Sequence, residues 1–444
     1  MRFVLALLAA VLLHAEAPQL PEPYQTIAGL AYGAPPEFAA DALLRIVEYG
    51  RLADKAQKRD LIEQAFRLAG SAKFPVRMTG IPGIADTRSG SLSQAYAFGL
   101  DALSLESRAV RDMLPLDAAK GRELFLEIAP PTLAPLSCDD ALVYDVSAYY
   151  EALEGVVNLA FTPKERAKQD HLSFLLDYLG QAASPAQIAP LVPVVESAGV
   201  TAAQREVLWA KLNGLLAGLQ PDDRSFTASL PALSALNAPE MQAAFAAYKQ
   251  RGHVCEHDSG ASQPLSKKPG QQDNTDATPK LDHYWQSSAT QQLFQAGQKL
   301  RVTSQRGLRN EANQSSPEWQ QQLTDYLAQL AGWTPGLEKS EADFYHEKCD
   351  VYQSLVELVP AGPQQEQLLN DYVSFLANSN LYQDSPVEWF VGPQGLTERL
   401  QGNGHEIRQV FDAFLASGNP VLALEARLHQ FLPTGTPEWF TSRR

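Results

Sequence analysis

Residues 252–283 read GHVCEHDSGASQPLSKKPGQQDNTDATPKLDH. The stretch is rich in Gly, Pro, Ser, Asp and Gln and has almost no large apolar side chains. Such a segment buries too little surface to offset the entropy lost on ordering, so it reads as a disordered linker. On both sides of it the apolar residues recur at helical spacing. Before it, Leu43, Leu44, Ile46 and Val47 share a face, as do Leu61, Ile62, Ala65, Phe66 and Leu68. No Asn-Gly or Asp-Gly dipeptide sits between alternating apolar runs, so no strand hairpin is expected.

The two sides resemble each other. Tyr150, Leu153 and Val157 match Tyr352, Leu355 and Val359 at a constant shift. With one residue dropped, Glu165, Asp170, Ser173, Phe174, Leu175, Ser184 and Pro185 match Glu366, Asp371, Ser374, Phe375, Leu376, Ser385 and Pro386. Arg205, Val207, Ala210 and Leu212 match Arg408, Val410, Ala413 and Leu415, and the gaps fall at loops, which tolerate insertions. The pattern predicts an all-α protein of stacked antiparallel helix pairs, α-solenoid-like, with two related helical halves joined by the linker. The expected units are a signal peptide over 1–17, an N-terminal helical domain over 18–251, the linker over 252–283 and a C-terminal helical domain over 284–444.

Helix starts are explicit. Thr162-Pro163-Lys164-Glu165 sets a hydroxyl at the cap, a proline at the first helical position and a carboxylate three residues on. Ser184-Pro185-Ala186-Gln187 and Thr201-Ala202-Ala203-Gln204 repeat the idea. Ser316-Pro317-Glu318-Trp319, Ser385-Pro386-Val387-Glu388-Trp389 and Thr436-Pro437-Glu438-Trp439 add an indole, which is expected to pack on a neighbouring helix rather than to stack on a sugar. The remaining breaks are read as a loop over 74–90 and a proline-rich one over 129–137. Helices are expected over 89–113, 116–128 and 139–160.

Charge and leader bound the function. With 51 acidic against 36 basic side chains the net charge is −15, and no Lys/Arg stripe carries interleaved aromatics, so nucleic acid is not an expected partner. The start MRFVLALLAAVLLHAEAPQ has a basic residue, a short apolar run and small residues at Ala15 and Ala17. That is the form of a secretory signal, too short to span a bilayer. The protein is expected to be exported, periplasmic or extracellular, with no membrane span. In an oxidising compartment three cysteines suggest one disulfide and one free thiol; Cys138 and Cys255 lie near loops and are expected to pair, with Cys349 a small buried hydrophobe on a helix.

Several clusters carry side chains suited to chemistry. His253, Cys255 and His257 would point the same way in an extended segment, as a metal clip needs, but a mobile linker anchors ligands poorly. His346-Glu347-Lys348-Cys349-Asp350 approaches the zincin helix but has Asp350 where that motif has its second His. Asp139, Asp140 and Asp145 with Tyr144, Tyr149 and Tyr150 offer carboxylates for acid–base work, against a plainer role at a helix start. His171 lies on a semi-apolar helix face, Gly402-Asn403-Gly404-His405-Glu406 is a weak anion loop, and Asp86-Thr87-Arg88-Ser89-Gly90 reads as a loop lock. No Gly-x-Ser-x-Gly elbow is present, and no catalytic residue, cofactor or firm metal ligand is assigned.

In general architecture alone, the chain resembles helical-repeat solenoids of the tetratricopeptide or HEAT kind. Their signature residues are not in register here, so no functional residue follows from the resemblance. The leading expectation is a scaffold that binds another macromolecule, a protein, through its helical surface. The alternatives are an exported hydrolase or lyase with its site in a groove between helices, and a metal-binding module at the linker. A deep pocket lined by convergent titratable groups would favour the enzyme.

Overall fold

In a computed structural model of the chain, the described residues are 20–80, 87–136, 140–219, 316–334, 340–401 and 406–432, with a few helical positions between 242 and 300. The leader, the linker with His253, Cys255 and His257, Cys138, Asp139, the Gly402–Gly404 loop and the Thr436 helix start lie outside them. The chain is mostly helical, 74% helix with few strands, which places it in the all-α class.

Helices α1 (Tyr24–Ala31), α2 (Pro36–Tyr49) and α3 (Lys55–Ala69) come first, followed by strand β1 (Arg77–Gly80). Then come α4 (Thr87–Ala97), α5 (Ala102–Met113), α6 (Ala118–Glu127) and strand β2 (Leu142–Asp145). Next are α7 (Ser147–Leu159), α8 (Pro163–Ala167), α9 (Asp170–Gly180), a 3-10 turn (Pro185–Gln187), α10 (Ile188–Ser197) and α11 (Ala202–Gly218). Beyond the linker lie α12 (Pro317–Gly332), α13 (Glu341–Leu358), α14 (Pro363–Ala377), α15 (Leu381–Asp384) and α16 (Pro386–Trp389). The last are α17 (Val391–Leu400), α18 (Glu406–Ala416) and α19 (Pro420–Phe431).

Local chemistry sets most of these ends. The Thr162, Ser184 and Thr201 capping boxes all form, each side chain accepting from the chain ahead while Glu165, Gln187 or Gln204 reaches back. Asp54, Asp101, Asp117 and Asn419 cap α3, α5, α6 and α19 as simple N-caps, each side chain accepting from a backbone N–H of the first turn. Trp319 and Trp389 are fully buried, as packing anchors should be. Ser316 caps α12, but Ser385 makes no side-chain cap bond to α16.

Three readings of the sequence differ from the fold: the loop expected over 74–90 holds β1 and, from Thr87, the start of α4, so Arg88 of the expected loop lock sits in a helix while Asp86 lies outside the described residues. The helix expected over 89–113 is two helices, because Gly99 adopts φ 64 and Asp101 then caps a fresh start. The helix expected from 139 begins only at Ser147, because residues 142–145 are drawn into an antiparallel ladder with residues 77–80. Arg77 pairs with Asp145 in this ladder and Gly80 with Leu142. The pairing joins segments far apart in sequence, so no local period announces it.

Helices α2, α3 and α5 pack mutually, and α5 passes the stack on to α7. From there α7 packs on α9 and α10, while α11 packs on both α9 and α10. Beyond the linker, α13 packs on α14 and α17, while α18 packs on both α14 and α17. These four contacts recur on the two sides. The chain then returns to its start. α19 packs on α1 and α2, and α4 meets α13, α16 and α17. At that junction Phe390 stands edge-on to Phe38 (5.1 Å) and Phe98 (5.3 Å), and Lys73 Nζ donates to the Gln383 and Asp384 carbonyls. Buried apolar side chains from both sides of the linker form one cluster.

Candidate functional site

On α2, Asp41, Arg45 and Glu48 recur at steps of four and three, so they form one stripe of the helix. On α5, Ser104, Arg108 and Arg111 do the same. The two helices pack on each other with Leu43, Leu44, Ala109 and Val110 buried, and the charged stripes meet between them. Arg108 is the hub. Its Nε and Nη2 donate to the two Glu48 oxygens at 2.6 and 2.7 Å, a bidentate fork, and its Nη1 donates to Asp41 at 2.6 Å. Arg45 donates to the other Asp41 oxygen at 3.4 Å and to both oxygens of Glu425 on α19 at 3.1 and 3.2 Å. Residues 380 apart in sequence are thereby tied together.

Two further pairs extend the wall. Arg77 holds Asp145 across the ladder and donates to Ser147 Oγ at 3.2 Å, while Asp145 accepts from the Ser147 amide at 3.1 Å. Arg111 pairs with Glu151, the most exposed carboxylate of the group. Together these residues surround a cleft of about 1230 Å³ between the N-terminal helices and α17, α18 and α19. Its apolar lining includes Tyr49, Phe38, Phe98, Phe390 and Phe411, and its neutral polar lining includes Thr79, Gln394 and Thr397.

The electrostatics of the wall are uneven. Burial, then the neighbouring Glu48 carboxylate, pushes the Asp112 carboxyl up to about 8, against the pull of Arg108 and Arg111. Asp112 therefore carries its proton at neutral pH beside Glu48. One Asp112 oxygen is buried without a hydrogen-bond partner, as is the Arg111 Nε. Glu425 is raised by burial, with Arg45 opposing. His429 is held down at about 4 by burial and then by Arg45, so its ring is neutral; it stacks on Phe411 at 5.0 Å. The cleft thus joins a large accessible volume to a carboxyl that keeps its proton at neutral pH.

Of the residues singled out in the sequence, Asp145 lines the cleft. Asp140 precedes β2 rather than opening a helix. His171 is packed at 5% exposure beside Phe161, with burial lowering its affinity for a proton. His346 lies 3.5 Å from the buried Glu388 and does not reach the cleft lining. Cys349 is buried and free, and burial pushes its thiol up to about 12, so it is an inert core group as the sequence suggests. Among the described residues no three His, Cys, Asp or Glu side chains are grouped to hold a metal ion, and no helix is long and apolar enough to cross a membrane.

Apart from Asp145, the residues that build the wall belong to no motif read from the sequence. The available signal was the pair of charged stripes, 41–45–48 and 104–108–111, on helices otherwise rich in core positions. No protein-family model, curated protein or solved structure matches this chain.

Proposed function

We propose that the protein is an exported enzyme, a hydrolase or lyase, that works on a polar ligand in this cleft with Asp112 as proton donor. One observation carries the reading: a carboxyl raised to about 8 sits beside a second carboxyl on the wall of a 1230 Å³ cleft. Bond cleavage at neutral pH calls for an acid whose proton is held near the working pH, and burial beside a like charge is how carboxyls are tuned to that task. Glu151, at 51% side-chain exposure, is the carboxylate of the wall most open to accept a proton.

The scaffold reading ranks second. Among the described residues the exposed large apolar side chains Tyr32, Leu126, Leu159, Val207 and Phe431 sit on or beside different helices, which favours no single docking face. We read α7–α11 and α13–α18 as two copies of one helical unit, stacked in the manner of a solenoid. The matched residues and the matched contacts support this.

The test is turnover by Asp112→Asn against a panel of glycosides, esters and uronides. The expected result is a loss of about 10²–10⁴-fold in kcat with an unchanged circular dichroism spectrum. An Asp112→Asn protein that turns over as fast as wild type removes Asp112 as the donor.

A further inference from the structure

We infer that the ligand of the cleft is a neutral oligosaccharide. The inference rests on the cleft being the working site proposed above and names the substrate class for it. Charge is the first argument. The wall arginines 45, 77, 108 and 111 each already hold a carboxylate. Among the described lining residues every guanidinium therefore has a carboxylate partner ahead of any phosphate or carboxylate ligand, and those carboxylates have a guanidinium ahead of any ammonium. A strongly charged ligand seated along Arg45 and Arg108 would have to break their largely shielded pairs with Glu425, Asp41 and Glu48 and leave one partner uncompensated, which is costly.

A polyhydroxylated chain has no such conflict. Each sugar hydroxyl donates and accepts at once, so vicinal hydroxyls fit the edges of guanidinium–carboxylate pairs, where donors and acceptors stand side by side. The lining supplies that edge at Arg111–Glu151, and α17 adds the partly exposed Gln394 amide. It also supplies aromatic surface at Tyr49 and Phe411, against which the C–H face of a pyranose ring packs. Size is the last argument. At about 1230 Å³ the cleft exceeds the roughly 300–1,000 Å³ of sites built for one small molecule, so it suits several linked rings.

The chemistry balances as a hydrolysis. The bond between the anomeric carbon and the glycosidic oxygen breaks, and the Asp112 proton goes to the departing oxygen. The oxygen of water bonds to the anomeric carbon, and the water proton passes to a wall carboxylate and restores Asp112. One water is consumed and two hydroxyl-terminated sugars leave.

Calorimetry and saturation-transfer NMR on the full chain test this with four probes: chitotetraose, cellotetraose, tetragalacturonate and tetralysine. Gln394→Ala and Phe411→Ala serve as two independent cleft variants, so that misfolding of one leaves the other to decide. The expected result is saturable binding of at least one neutral tetrasaccharide, weakened at least tenfold in the variants, with no saturable binding of the charged oligomers. Binding of a charged oligomer alone, lost in the same variants, overturns the substrate class while leaving the cleft as a working site. Binding of a neutral probe that ignores both variants, or binding of none of the four, overturns the inference. The enzyme reading is judged separately by Asp112→Asn.

Discussion

The corners at Ser184–Gln187 and Ser385–Glu388 begin with the same Ser-Pro step and end differently. At the first, the Gln187 amide is fully used. Its oxygen accepts from the Ala183 and Ser184 amides at 2.8 Å each, and its nitrogen donates to Tyr150 Oη at 3.1 Å and the Pro131 carbonyl at 3.3 Å. At the second, Glu388 is equally buried, but one of its oxygens has no hydrogen bond and its nearest cation-forming neighbour is His346. The binding of the second corner comes instead from aromatic contacts and backbone. The Trp389 indole donates to the Leu376 carbonyl at 2.8 Å, Tyr345 donates to the Trp389 carbonyl at 2.6 Å, and Phe390 reaches Phe38 and Phe98 across the chain. A neutral, satisfied knot ties the first corner to α7 and to Pro131, whereas the second reaches the N-terminal helices through Phe390, which lines the cleft.

The largest expected effect comes from cutting that outward contact. Phe390→Ala removes a ring packed between two others and is expected to cost about 3–5 kcal/mol in urea unfolding. It also weakens ligand binding in the cleft, whereas a change at the first corner leaves the cleft intact. If Phe390→Ala costs under about 1 kcal/mol, the outward role of the second corner is wrong.

Close packing behind the same corner gives the next effect. A Cβ on Gly392 would stand 2.4 Å from Tyr345 Oη and 2.7 Å from Cys349 Sγ, both held in a buried cluster. Gly392→Ala is expected to lower stability by roughly 1–3 kcal/mol. Gly155→Ala on the first side meets only one movable methyl, Leu114 Cδ1 at 2.8 Å, and should cost clearly less in the same melt.

An exchange of the two corner residues sharpens the contrast. Gln187→Glu removes the amide donor from Tyr150 and the Pro131 carbonyl, at an expected cost of about 1–3 kcal/mol. Glu388→Gln replaces a buried carboxyl that lacks a full set of partners, and is expected to be neutral or to stabilise by up to about 1 kcal/mol. Equal costs for both would mean the corners are energetically alike.

The last contrast lies in the pH dependence, where two groups of the cleft lining act in opposite senses. His429 holds its proton in the fold only below about 4, against about 6.5 in the unfolded chain. As pH falls from about 6.5 to about 4 the unfolded chain takes up a proton that the fold refuses, so stability drops in that window. Asp112 has the opposite consequence. Its carboxyl keeps a proton up to about 8 that the unfolded chain loses near 4, so stability falls as pH rises between those values. His429→Gln should flatten the acid limb and Asp112→Asn the upper one in denaturation curves across pH 4–9, while Gly155→Ala, which adds no titratable group, leaves both limbs unchanged.

The sequence by itself determined what acts over a few residues: the helical class, the capping boxes at Thr162, Ser184 and Thr201, and the burial of Trp319, Trp389 and Cys349. Each depends on a hydrogen bond or an apolar period spanning three or four positions, and such patterns can be read along the chain. It also placed Asp145 among residues worth weighing, but at a helix start rather than in a ladder. Only the tertiary structure decided the rest. The β1–β2 pairing joins residues 77 and 145, and the Arg45–Glu425 pair joins residues 45 and 425. The charged stripes of α2 and α5 look like two ordinary solvated faces until packing sets them against each other and folds α19 across the gap. The physical reason is that burial sets the energetic consequences of charge. Asp41, Arg108 and Asp112 become a site only once the return of the chain excludes water around them, and no spacing within the sequence records that closure.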